Sequence, residues 1–145
     1  MKLMRLIVML GLLLPAAAQA AEMSYSDYAV RKRAMVERQV APGDAIAADF
    51  WRLYDAYAAE VTPIMARRDA LGGRDTASAD DVAAFISTQE DLVDARKGFV
   101  RKLRRADVPA DVIMRFLLLE QHLDAVYSIN ESQGHGRGRG QGHGM

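Results

Sequence analysis

Between Asp44 and Leu71 the residues Phe50, Tyr54, Tyr57, Val61 and Ile64 recur at alternating spacings of four and three. Residues so spaced line one face of an α-helix, so this stretch predicts a long amphipathic helix. It opens after the breaker segment VAPGD, where Asp44 is expected to cap it by accepting hydrogen bonds from the amides that follow. Pro63 removes one backbone donor, and because the stripe continues beyond it a kink is expected rather than a stop. Gly72-Gly73 is expected to end the helix through a left-handed C-cap.

A second line, Val82, Phe85, Gln89, Leu92, Arg96, Phe99 and Leu103, has spacings of three or four, and Ile86, Val93 and Val100 widen it. Ser78 followed by Asp81 predicts a capping box at its start. Arg101, Lys102, Arg104 and Arg105 complement the negative dipole end at its finish. After Asp107-Val108-Pro109 a last helix places Val112, Phe116, Leu119, Leu123, Val126 and Asn130 on one line, with Ile113, Leu117 and Leu118 spreading apolar surface around it. The stretch from Ser24 to Gln39 is helix-compatible but weakly amphipathic, suiting either a short helix or a mobile arm. No alternating strand pattern is present, which predicts an all-α fold: a small bundle or curved hairpin of three to four amphipathic helices.

Both ends depart from this pattern. The chain begins MKLMRLIVMLGLLLPAAAQA, with Lys2 and Arg5 ahead of an apolar run and a small-residue Ala18-Gln19-Ala20 close. A basic start, a short apolar run and an A-x-A site describe a secretory signal peptide over 1–20. The apolar run falls short of the roughly 20 residues a bilayer span needs. The expected organisation is signal peptide 1–20, helical domain 21–131 and a Gly/His/Arg tail 132–145, and the expected address is the periplasm, with no membrane span in the mature chain. The tail, ending GHGRGRGQGHGM, combines high backbone entropy with no packing side chains, and is expected to be disordered.

Composition narrows the functional classes. Without Lys2 and Arg5 the 19 basic residues become 17, against 19 acidic, leaving no bulk field for nucleic acid, which is not an expected partner. The absence of cysteine removes disulfides and thiolate metal sites. So short a domain buries a thin core, and a homodimer is compatible with its size. His122 is the one histidine of the predicted helical body, and Glu120, His122 and Asp124 cannot share one helical face. No nucleophile comes with a recognisable base, and no phosphate-cradling loop or H-E-x-x-H is present. The expectation is a protein that is not an enzyme.

The stretches FWRLYDAYAAE, Phe50 to Glu60, and RFLLLEQHLDAVYSI, Arg115 to Ile129, separated by a long helix, resemble the small all-helical periplasmic proteins grouped around Spy and CpxP. They also resemble the related heavy-metal-resistance proteins of the ZraP and CnrX kind. The resemblance implies a curved helical-hairpin protein of the envelope, associated with protein quality control or metal stress.

Two sets of candidate residues follow. Phe50, Trp51, Tyr54 and Tyr57 suit a client-binding aromatic patch, since aromatics offer large apolar area with a polar handle on Tyr and Trp. The first, third and fourth suit the hairpin core better, whereas Trp51 lies about 100° off the stripe and is the better candidate for an exposed or interfacial aromatic. His135 and His143 suit a weak nickel, copper or zinc site, with a plain solubilising role for the tail as the alternative. No other cofactor is expected. The basic residues Arg96, Lys97, Arg101, Lys102, Arg104 and Arg105 suit either acidic partners or a solvated helix end. The leading expectation is a chaperone or regulatory adaptor contacting unfolded or envelope proteins, or a sensor protein; the alternative is a metal sensor or buffer.

Overall fold

A computed structural model of the chain describes residues 24–136, and side chains over 24–130. The expected signal peptide and His143 lie outside the described residues, as does the side chain of His135. Four helices follow in order: α1 (Tyr25–Val40), α2 (Asp44–Gly72), α3 (Ala79–Arg105) and α4 (Ala110–Gly136). Among the described residues there is no strand, and the all-α bundle expected from the periodicity is the observed fold. No helix among them is long and apolar enough to cross a membrane.

Local chemistry accounts for most of the helix ends. Ser24 caps α1 by accepting from the Asp27 amide at 3.2 Å. The Ser24–Gln39 stretch is thus a true helix, because Tyr25, Tyr28, Lys32, Val36 and Val40 form a buried line at spacings of three and four. Ser78 and Asp81 form the capping box of α3, at 3.1 and 2.9 Å. Two expectations are corrected. Gly43, not Asp44, is the N-cap of α2, and Asp44 is the first helical residue, where its charge favours the positive dipole end. Gly73 caps the far end in a right-handed conformation (φ −81°); the left-handed positions among the described residues are Ala41 and Asp107, neither of them glycine. α2 runs unbroken through Pro63, and α4 continues past the expected boundary at 131 to Gly136.

The helices pack in a ring that is not evenly closed. α2 and α3 pair along much of their length, α1 lies against both α4 and α2, and α3 and α4 approach each other least. The centre holds Phe50, Tyr54, Tyr57, Phe99 and Phe116, with ring centroids 4.7 to 6.4 Å apart in edge-on, tilted and stacked pairs. Such pairs add about 0.5–1.5 kcal/mol each beyond their buried area. On α4 the predicted line holds through Val112, Phe116, Leu119 and Leu123, then shifts: Tyr127 is buried, whereas Val126 and Asn130 are exposed.

Candidate functional site

The aromatic patch expected of α2 does not form a surface. Phe50, Tyr54 and Tyr57 are buried in the central cluster, because the face they share is the one α3 and α4 cover. They cannot meet a client while the bundle is closed, and this part of the expected client-binding set is corrected to core. Trp51 is half-buried. Its ring stands edge-on to Phe50 at 5.2 Å and to Tyr54 at 5.5 Å, and the Arg33 guanidinium covers it at 4.5 Å from the centroid.

Exposed apolar side chains lie instead on α3 and, at Met114, Leu118, Val126 and Ile129, on α4. Val82 (54 % exposed), Phe85 (39 %), Ile86 (54 %) and Val93 (44 %) follow one another at spacings of three, one and seven, which keeps them on one side of the helix. Arg33 of α1 pairs with Asp55 of α2, and Tyr25, eight residues earlier, lines a small cavity with Val61 and Thr62, while among the described residues α1 does not pack on α3. α3 is tied to α2 by the Arg67–Asp91 ion pair at 2.6 Å and to the α2–α3 connection by Arg74–Asp81, and the side that carries Val82 and Ile86 stays exposed.

Further along α3 the same side enters a groove of about 370 Å³ at the α3–α4 seam, lined by Val93, Arg96, Lys97, Val100, Arg101 and Leu117. The basic run is thereby divided. Arg96 turns to Asp124 of α4 at 3.1 Å, and Lys97 meets the exposed Asp94 only at 3.8 Å. Arg101 has no carboxylate partner among the described residues and is exposed, as are Lys102, Arg104 and Arg105 at the helix end.

Each helix also contributes to a buried polar cluster that sequence reasoning missed. The Lys32 ammonium of α1 lies 2.8 Å from Glu120 Oε1 and 3.3 Å from Asp124 Oδ1 of α4. The Tyr57 hydroxyl of α2 donates to the same Glu120 oxygen at 2.6 Å, and Arg96 of α3 closes the set on Asp124. Glu120 Oε2 and Arg96 Nε have no hydrogen-bond partner among the described residues. Burial opposes the charge on Lys32, but the charges of Glu120 and Asp124 and the Glu120 hydrogen bond outweigh it and hold its pKa above the ordinary lysine value. Burial, reinforced by the Glu120 charge, pushes the Tyr57 hydroxyl far up. The cavity beside Lys32 has room for about one water, too little for a substrate. A signal for this cluster does exist in the sequence. Lys32 interrupts the apolar line Tyr25, Tyr28, Val36, Val40, and Glu120 interrupts Ile113, Phe116, Leu123, Tyr127.

His122 is exposed on the side of α4 away from this cluster. Among the described residues no group of three or more His, Cys, Asp or Glu side chains is arranged to hold a metal ion. The expected metal residues His135 and His143 carry no described side chain. Compared with protein-family models, with curated proteins and with solved structures, the chain gives no match.

Proposed function

We propose that this is a non-enzymatic protein of the periplasm that binds other proteins under envelope stress, as a chaperone or a regulatory adaptor, through the uncovered face of α3. The observation that supports it is the run Val82, Phe85, Ile86 and Val93, apolar side chains held in solvent on a helix otherwise fixed by Phe99, Leu103 and the α2 pairing. Solvent-facing apolar side chains interrupted by Gln89 and flanked by the charges of Glu90, Lys97 and Arg101 suit reversible contact with exposed apolar segments. The signal-peptide pattern and the resemblance of the two aromatic and apolar stretches to the Spy and CpxP group supply the compartment and the stress context.

The test is suppression of aggregation of a chemically unfolded test protein by the purified chain. Val82→Ser/Ile86→Ser/Val93→Ser should abolish protection while leaving the helical spectrum intact, since all three side chains stand in solvent. His135→Ala/His143→Ala should leave protection unchanged with or without added nickel, copper or zinc. Full protection by the triple serine variant would refute the α3 surface, and metal-dependent protection lost with the two histidines would favour a metal sensor or buffer.

A further inference from the structure

We infer that the groove at the α3–α4 seam is a binding site for a single-chain anionic amphiphile, a free fatty carboxylate, with its head on Lys97 and Arg101 and its chain over Val93, Val100 and Leu117. Val82, Phe85 and Ile86 of the client surface lie outside the groove, whereas Val93, Lys97 and Arg101 are shared by both. Its chemistry has two parts. The floor is aliphatic, and the cations all come from one side, α3, where spacings of three and four carry Val93, Arg96, Lys97, Val100 and Arg101 to a common face. Arg96 is already engaged by Asp124. Lys97 has only its long, exposed contact with Asp94, which is worth little, and Arg101 has no carboxylate among the described residues. Two cations with weak or no counter-charges beside a partly exposed aliphatic floor call for an anion that carries its own apolar tail.

Other occupants match less well. With the expected signal peptide removed, the chain outside the described side chains carries Arg137 and Arg139 against Glu22 and Glu131, so it has no excess negative charge to match the groove rim. A two-fold contact centred on the groove would bring Arg96, Lys97 and Arg101 against their own copies. The volume, about 370 Å³, falls within the range of small-ligand sites, about 300–1,000 Å³. From Arg101 back to Val93 the helix rises about 12 Å, the reach of a medium-length acyl chain.

The full chain is titrated with decanoate, with decanol and with acetate, below the micelle threshold, and followed by calorimetry and backbone amide shifts. Decanoate should bind and move amides over 93–101 and at Leu117; decanol and acetate should each bind at least tenfold more weakly, because each lacks one half of the recognition. Raising the salt should weaken decanoate. Lys97→Glu/Arg101→Glu should lose at least tenfold in decanoate affinity with an unchanged circular dichroism spectrum, and Arg101→Gln alone should lose about threefold. Equal binding of decanol and decanoate, undiminished binding by the charge-reversed protein, shifts centred elsewhere, or no decanoate binding at millimolar concentration would each overturn the site. So would an acidic amphipathic peptide that fills the groove when decanoate does not.

Discussion

Replacing Lys32 by Met removes the cation from the centre of the bundle and leaves Glu120 behind. The two charges are 2.8 Å apart and their side chains are 4 % and 1 % exposed. At an effective dielectric of about 20 their attraction is about 6 kcal/mol, of the same order as the several kcal/mol per ion needed to bring them out of water. The intact pair is therefore close to neutral in net stability, and the effect of breaking it is asymmetric. Lys32→Met leaves Glu120 with only the Tyr57 hydroxyl, and should cost about 3–5 kcal/mol. Glu120→Met leaves Lys32 with the partly solvated Asp124, and should cost less, about 2–3 kcal/mol. The double variant Lys32→Met/Glu120→Met keeps the volume and removes both charges; it should return to within about 1 kcal/mol of the parent or exceed it. Urea unfolding followed by circular dichroism gives all four corners of this cycle, and a domain of this size has about 5–15 kcal/mol to lose. Additive single losses in the double variant, or a Lys32→Met cost below 1 kcal/mol, would show that the two charges are not coupled in the folded protein.

Alkali should unfold the protein cooperatively. Burial raises the hydroxyl pKa values of Tyr25, Tyr28, Tyr54 and Tyr57, and Lys32 is raised by Glu120 and Asp124 against the opposing effect of burial. All five groups hold protons more tightly folded than unfolded, so their contribution is complete below about pH 10 and is lost as pH rises past it. Tyrosinate absorbance should appear together with the loss of helicity; ionisation of most tyrosines near pH 10 in a still-helical protein would contradict their burial. Trp51→Ala should cost about 1.5–3 kcal/mol, below the 3–5 of a fully buried aromatic, because the ring packs on Phe50, Tyr54 and Arg33 but stays half in solvent. An unchanged urea midpoint, or a collapse of helicity, would show that the ring is placed wrongly.

What the sequence made legible was mainly local. The Ser78–Asp81 capping box spans three residues and is visible in its own letters, as is the line from Val112 to Leu123. The periodicity of Phe50, Tyr54 and Tyr57 showed a shared face but not whether that face meets a neighbour or solvent, which depends on Phe99 and Phe116 far along the chain. The converse holds for Val82 and Ile86, whose spacing matches that of buried residues but which stand in solvent. Lys32 and Glu120 each stand out as a charge within an apolar line. Their pairing, however, is a tertiary fact, since it requires α1 to lie antiparallel to α4.

That arrangement constrains the order in which the bundle is assembled. The α2–α3 hairpin is made of neighbours in sequence and pairs through contacts such as Arg67–Asp91, 24 residues apart. The first and last helices meet through Tyr28 and the Leu123 carbonyl and through Lys32 and Asp124, 95 and 92 residues apart. Closing so long a loop is entropically uphill until the final contacts form, so α1 should dock late on a hairpin already in place. Synthesised first, α1 therefore waits for α4 with its lysine still hydrated. The step that completes the ring is also the step that strips water from the central charges, and a slipped register of α1 on α4 would leave Glu120 buried without its cation.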